Sequence, residues 1–140
     1  MGRKVREYRS DGIAVTFDAR LCIHAERCVH GLPRVFDPAA RPWIRPEMGD
    51  PDAVAQVVAR CPTGALQYTR LDGGAAEAPE PEAIITVSAD GALYVRGDVA
   101  VVDEDGGVFA RGRRMALCRC GQSSNRPFCD GAHARIGFTG

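Results

Sequence analysis

Four side chains of types that commonly bind metals lie close together in the last part of this 140-residue chain. They are Cys118, Cys120, Cys129 and His133, all within sixteen consecutive residues. The segment shows almost no apolar periodicity, so its shape cannot depend on a hydrophobic core. Thiolate and imidazole ligands suit zinc ions and iron-sulfur clusters alike. The sequence therefore predicts a metal centre that organises this part of the chain.

The spacing of these ligands differs from that of most zinc sites. Zinc ribbons and fingers usually supply two separated pairs of ligands, with two to four residues inside each pair. Here a single residue separates Cys118 from Cys120, and three cysteines precede one histidine on a continuous segment. The spacing favours an iron-sulfur cluster, and a zinc ion or free thiols are the alternatives.

The same segment resembles a known iron-sulfur family. Its sequence from Cys118 to His133, CRCGQSSNRPFCDGAH, is similar to the signature of CDGSH domains. The flanking run Val95-Arg96-Gly97-Asp98 also looks like that family, so the resemblance covers roughly residues 84–138. Ala132 stands where the family pattern has serine. This change beside a ligand should alter local hydrogen bonding more than cluster assembly.

The CDGSH resemblance implies a 2Fe-2S cluster. Cys118 and Cys120 would bind one iron, and Cys129 and His133 would bind the other. A neutral imidazole in place of a thiolate removes negative charge, which raises the reduction potential relative to an all-cysteine site. Because imidazole titrates near neutral pH, the histidine would also make the cluster sensitive to protons. The resemblance to family members with a single motif also implies that the protein forms a homodimer.

A second group of cysteines lies in the first half of the chain. Bacterial-type ferredoxins combine a C-x2-C-x2-C loop with a distant cysteine that is followed by proline. Here the loop contains Cys22 and Cys28, with Ala25 at the central position, and Cys61-Pro62 supplies the distant thiol. Because alanine cannot be a ligand, three thiolates with one vacancy suit a 3Fe-4S cluster.

This half of the chain also resembles a ferredoxin family. Residues 8–69 are similar to divergent single-cluster ferredoxins, including those that serve bacterial cytochromes P450, and to divergent 4Fe-4S mono-cluster domains. The likeness lies in the runs around Cys22 and Trp43 and in CPTGAL, which begins at Cys61. A cluster of four irons would need a fourth ligand from His24, from His30 or from solvent. Three cysteines that simply fill a small core are the alternative without a metal.

The secondary structure predicted for the first half is a small sheet with one clear helix. Alternating apolar residues predict a hairpin of Val5–Arg9 and Ile13–Phe17, and a third strand, Ala65–Thr69, is expected to pair with the second. A helix is predicted over Pro51–Arg60, with Asp50 as its N-cap. The helix would deliver the following cysteine to the buried side.

The second half is predicted to be rich in β-structure. Short strands separated by turn residues are expected at 84–88, 92–96, 99–103 and 108–114. The predicted fold class is therefore α+β. A ferredoxin-like domain at 1–70 is followed by a linker at 71–83, which is rich in Gly, Ala, Glu and Pro, and by a CDGSH domain at 84–140.

Composition narrows the possible functions. The 18 basic and 18 acidic residues balance, which gives no reason to expect binding to nucleic acid or to a membrane. No apolar run suits a signal peptide or a transmembrane helix, so a cytoplasmic, reducing environment is expected. In that environment six clustered cysteines more often bind metal than form disulfides.

The motifs favour a redox protein without a substrate site of its own. The sequence has no glycine-rich phosphate loop, no Ser-His-Asp set and no sizeable substrate domain, so an enzyme is not expected. The leading interpretation is a two-cluster electron carrier that acts between redox protein partners. A second is transfer of the 2Fe-2S cluster to an apo acceptor, or redox and pH sensing, through His133. A zinc-binding interaction module is a third.

Overall fold

The computed structural model describes residues 5–78 and 80–140, which form two compact units. The first unit contains the chain up to Cys61 together with Ala65–Glu77. The second contains Pro62–Gly64 together with Ala78–Gly140. Each unit has one three-stranded antiparallel sheet, which confirms a small fold of mixed α and β structure.

The first unit is built on the sheet β1-β2-β3. Its strands are β1 (Val5–Arg9), β2 (Ile13–Asp18) and β3 (Leu66–Arg70). The predicted hairpin and the pairing of the third strand with the second are confirmed, with Phe17 opposite Leu66. The middle strand supplies buried apolar side chains to the core because both of its edges are paired.

Two α-helices and a 3-10 turn cover this sheet. They are α1 (Arg27–Gly31), the 3-10 turn Pro46–Met48, and α2 (Pro51–Val58). The buried core that they complete consists of Ile13, Val15, Val35, Phe36, Ile44, Val54, Ala55, Val57, Val58 and Leu66.

Helix α2 begins where the sequence predicts and ends earlier. Asp50 is the N-cap, its carboxylate accepts a hydrogen bond from the N–H of Ala53 at 3.4 Å, and a proline occupies the first turn. The prediction that the helix extends to Arg60 is wrong, because regular helix ends at Val58. The next N–H groups bond three residues back, Arg60 to Val57 and Cys61 to Val58, both at 3.0 Å. A following proline disfavours helical backbone at Cys61, which explains this tighter turn.

The second unit contains β4 (Ile84–Val87), β5 (Leu93–Val102), β6 (Val108–Leu117) and the short helix α3 (Ala132–Arg135). The prediction of separate strands at 92–96 and 99–103 is wrong, because β5 runs through both. Gly97 (φ 134°) lies at the register shift between Arg96 and Val99, so the chain bends there without leaving the sheet.

We expect Asp50→Ala to lower the free energy of unfolding of the first unit by about 1 kcal/mol, because the substitution removes the side-chain cap of α2. Urea denaturation followed by circular dichroism measures this change. Asp50→Ser should retain most of the stability, and Gln56→Ala, on the exposed side of the same helix, is the matched control. Equal stability of Asp50→Ala and wild type would contradict the assignment of the cap.

Candidate metal centres

The predicted ligands of the second unit come together as two pairs. The sulfur atoms of Cys118 and Cys120 lie 3.9 Å apart, and the sulfur of Cys129 lies 3.5 Å from Nδ1 of His133. The negative charges of Cys118 and Cys120 also contribute to the raised pKa of Cys129, after burial, which is the largest cause. The three thiols are therefore close enough for their charges to interact.

The end of strand β6 holds the two pairs side by side. The N–H of Cys118 donates to the carbonyl of Pro127, and the N–H of Cys129 donates to the carbonyl of Ala116, both at 2.8 Å. An isolated antiparallel bridge between Leu117 and Phe128 lies between these two bonds. The segment before Cys129 thus continues the sheet beside the strand that leads into Cys118.

Backbone N–H groups surround the sulfur atoms. The N–H of Gly121 donates to Cys118 at 3.3 Å, and that of Gly131 donates to Cys129 at the same distance. The N–H of Gln122 lies 3.5 Å from the sulfur of Cys120. Both glycines have φ of 80° or more, a left-handed conformation that side chains disfavour. These contacts suit negatively charged sulfur atoms.

The electrostatics of Cys118 reflect these donors. Desolvation opposes ionisation of this thiol, but hydrogen bonds from the backbone of Ser123 and Gly121 outweigh it and lower the pKa of Cys118. A thiol whose pKa is lowered is closer to the thiolate that binds iron.

Two polar side chains, Ser123 and Asp130, form hydrogen bonds with the backbone of the loop between Cys120 and α3. The buried Ser123 hydroxyl donates to the carbonyl of Phe128 at 2.6 Å and accepts from the N–H of Asn125 at 3.0 Å. The carboxylate of Asp130 accepts the N–H of Ser124 at 2.8 Å and that of Ala132 at 3.0 Å. Asp130 therefore ties the loop to the first residue of α3, the helix that carries the histidine ligand.

The donor set fits a group with two metals better than a single ion. The four side chains lie as two pairs, Cys118 with Cys120 and Cys129 with His133. A closed zinc site needs four ligands around one ion. Two pairs of ligands, one of two thiols and the other of a thiol and an imidazole, match a cluster with two ligands on each metal.

The three cysteines of the first unit also come together, from separate elements. Cys22 follows the turn after β2, Cys28 lies in α1 and Cys61 follows α2. Burial is the largest cause of the raised pKa of Cys28, about 11, and the charges of Cys61 and Cys22 raise it further. The pKa of Cys22 is raised in the same way, by burial and by the charge of Cys61.

A cavity of about 400 Å³, the cysteine cavity, opens beside Cys22 and Cys28. Its lining residues are Phe17, Cys22, His24, Glu26, Cys28, Val29, Pro38, Arg41 and Trp43. The Trp43 ring packs edge-on against Phe17, with ring centroids 5.0 Å apart. Aromatic side chains thus shield one side of the cavity, as expected for a cluster kept from water.

The loop between Cys22 and Cys28 divides its side chains between two cavities. His24 and Glu26 line the cysteine cavity, whereas Ala25 lines a neighbouring cavity together with His30. Of the two histidines considered as a fourth ligand, only His24 therefore lies beside the thiols. Both His24 (φ 59°) and Glu26 (φ 61°) have left-handed backbone, which is costly for residues with side chains and is often found at functional sites.

The other interpretations of the cysteines fit less well. None of the six forms a disulfide, so the disulfide alternative is wrong. The three cysteines of the first unit are partly exposed, and Cys28 and Cys61 pack at the edge of the core rather than within it. Partial exposure of three neighbouring thiols is not what the core-filling alternative predicts.

Comparison with known proteins agrees with this geometry. Residues 8–71 match the family model described as "Divergent 4Fe-4S mono-cluster", and residues 90–134 match the "Iron-binding zinc finger CDGSH type" model. The protein YjdI of Escherichia coli K12 is 38% identical over 63 residues, which cover 45% of this chain and 83% of YjdI. YjdI of E. coli O157:H7 matches to the same extent.

The chain belongs to the divergent 4Fe-4S mono-cluster family and carries a CDGSH-type iron-binding domain after that region. It is therefore an iron-sulfur protein. Both resemblances predicted from the cysteine motifs are confirmed. Within the residues that the structure describes, no helix has the length and apolar character needed to cross a membrane.

We expect the two cysteine groups to bind their clusters independently. Cys118→Ser should remove about two irons per chain, because it takes a ligand from the CDGSH-type site alone. Cys28→Ser should remove the iron of the first unit and leave the other site filled. Iron and sulfide analysis of anaerobically purified protein, together with EPR spectra, measures both effects. Simultaneous loss of all iron in both variants, with folded protein, would contradict two separate sites.

Proposed function

We propose that this protein is an electron carrier that uses two iron-sulfur clusters to pass single electrons between redox proteins. Cys22, Cys28 and Cys61 would hold the first cluster. A 2Fe-2S cluster would bind the pair Cys118 and Cys120 and the pair Cys129 and His133. The observation that carries the proposal is that each unit gathers its own set of thiols: Cys22, Cys28 and Cys61 in the first, and Cys118, Cys120 and Cys129 in the second. When bound, such clusters supply one-electron redox chemistry.

The residues around each site suit a carrier. In the second unit the N–H groups of Gly121 and Gly131 donate to ligand sulfur atoms, which offsets the negative charge that an added electron increases. In the first unit the N–H of His24 donates to Cys22 at 3.4 Å. Such donors are already in place, so little rearrangement would accompany electron transfer.

The first site supports a 4Fe-4S cluster with His24 as the fourth ligand. The Glu26 carboxylate lies 3.5 Å from Nε2 of His30, and His30 and Ala25 line the neighbouring cavity. The His24 side chain lines the cysteine cavity and has no hydrogen-bond partner in the described part of the chain. An imidazole there can replace the cysteine that the loop lacks. A 3Fe-4S cluster on the three thiolates alone is the alternative.

We expect His24→Ala to convert the first cluster to the 3Fe-4S form, because the fourth iron would lose its protein ligand. EPR of the oxidised protein measures this directly, since oxidised 3Fe-4S is paramagnetic and oxidised 4Fe-4S is not. His30→Ala is the matched control and should leave the spectrum unchanged. A 3Fe-4S signal of equal size in fresh wild type and in both variants would refute ligation by His24.

Cluster transfer, or redox and pH sensing, is the second candidate function, because the partly exposed His133 lies beside the buried Cys129 within one short segment. To separate the functions, oxidised holoprotein is incubated with an apo-ferredoxin, and reduced holoprotein with an oxidised redox protein. For a carrier we expect the second reaction to occur and the first not to. Movement of the 2Fe-2S cluster to the apo-ferredoxin, with no electron passed, would support transfer instead.

Two further expectations belong to this proposal. The second unit has an exposed apolar edge, in which Ile85 and Val87 of strand β4 are 63% and 64% exposed. Both lie on the same sheet face as the buried Val95 and Met115 of the neighbouring strands. A second copy of the chain would cover this edge, which supports the homodimer.

That the protein is not an enzyme stays a prediction.

A further inference from the structure

Two other cavities border the cysteine cavity of the first unit. One, the aromatic cavity, has a volume of about 590 Å³ and shares Phe17, Arg41 and Trp43 with the cysteine cavity. The other, the polar cavity, has a volume of about 400 Å³, and two of its lining residues, Ala25 and Arg27, alternate along the chain with His24 and Glu26. The aromatic cavity therefore adjoins the cysteine cavity through shared side chains, and the polar cavity lies at neighbouring residues of the same loop.

Four arginines line these cavities. Arg6 and Arg41 line the aromatic cavity, and Arg27 and Arg60 line the polar cavity. All four are exposed, and none forms an ion pair with any residue in the described ranges. Arg41 donates from Nη1 to the carbonyls of Pro38 and Ala40, which leaves its charge uncompensated.

Each of the two carboxylates that line these cavities has a nitrogen-containing side chain beside it. Glu7 lies 2.9 Å from Nε of Arg9, and Glu26 lies 3.5 Å from the imidazole of His30. The protein as a whole has equal numbers of acidic and basic residues. The positive charge around the cysteine cavity is therefore a local property of this face.

We infer that these arginines form a docking surface for the acidic face of a protein redox partner, an inference that rests on the proposed electron-carrier function. Unpaired guanidinium groups bind carboxylates with directed hydrogen bonds and attract an acidic surface over a distance. Trp43 and Tyr8, both partly exposed in the aromatic cavity, are residue types enriched in protein interfaces. Docking there would place the partner directly over the cluster site.

The alternation of charge favours a protein over a nucleic acid. Glu7 and Glu26 lie among the arginines, and each would repel a continuous phosphate backbone. The surface of an acidic protein can place its carboxylates opposite Arg27 and Arg60 and leave space at the glutamates. Complementarity of this kind mainly raises the association rate and the specificity.

The test measures binding without electron transfer. Oxidised holoprotein is titrated with an oxidised, strongly acidic flavodoxin at low ionic strength, and the heat of binding gives Kd. We expect Arg27→Glu/Arg60→Glu to raise Kd by about tenfold or more, and about 0.2 M NaCl to weaken wild-type binding similarly. Arg34→Glu/Arg113→Glu changes the net charge equally at exposed arginines that line none of the three cavities, and should leave Kd within about twofold.

Four further measurements complete the test: visible absorbance, binding of cytochrome c, binding of an oligonucleotide, and electron transfer on reduction. Visible absorbance confirms that every variant keeps its clusters, and basic cytochrome c, used as a second probe, should bind more tightly to Arg27→Glu/Arg60→Glu. Equal Kd values for the two double variants, or no binding of flavodoxin to wild type, would overturn the docking surface. Tighter binding of a single-stranded oligonucleotide than of flavodoxin, lost in Arg27→Glu/Arg60→Glu, would also overturn it. Binding as expected without electron transfer on reduction would instead refute the carrier function.

Discussion

A cysteine thiolate inside a protein needs hydrogen-bond donors, and in this chain the donors are backbone N–H groups. In the second unit such groups, including those of Gly121, Gln122 and Gly131, point at the sulfur atoms of Cys118, Cys120 and Cys129. The chain can provide them only if it turns sharply after each cysteine, which explains the left-handed Gly121 and Gly131. The shape of the loop and the chemistry of the site therefore have the same cause.

The sheet of the second unit fixes where this loop begins and closes. Pairing along β6 ends at Leu117, and the next backbone bonds join Cys118 to Pro127 and Cys129 to Ala116. The loop is thus closed by sheet-like hydrogen bonds, which hold the ligand pairs at a defined separation. A buried serine and Asp130 complete the bracing, and α3 then presents His133. In the first unit Cys28 and Cys61 instead pack at the edge of the buried core.

The chemistry was more predictable from the sequence than the local geometry. Ligand type and spacing identified both cysteine groups, since thiolates, imidazole and special glycines are visible as residues. Spacing alone could not predict that Ala25 lines a different cavity from His24, because this division depends on left-handed backbone at two residues that are not glycine. The continuous β5 was missed because Gly97 and Asp98 look like a turn, although the pairing with β6 resumes beyond them. The unpaired charge of Arg27 and Arg60 likewise depends on which carboxylates lie within reach.

We propose that each chain holds two iron-sulfur clusters on separate sets of ligands. The most direct measurement is an inventory of iron, acid-labile sulfide and zinc per chain, with EPR spectra of oxidised and reduced protein, after purification without oxygen. We expect about six irons and six sulfides, four of each from the first cluster and two of each from the second, with two distinct signals on reduction. Zinc without sulfide, or iron sufficient for one cluster in folded protein, would contradict it.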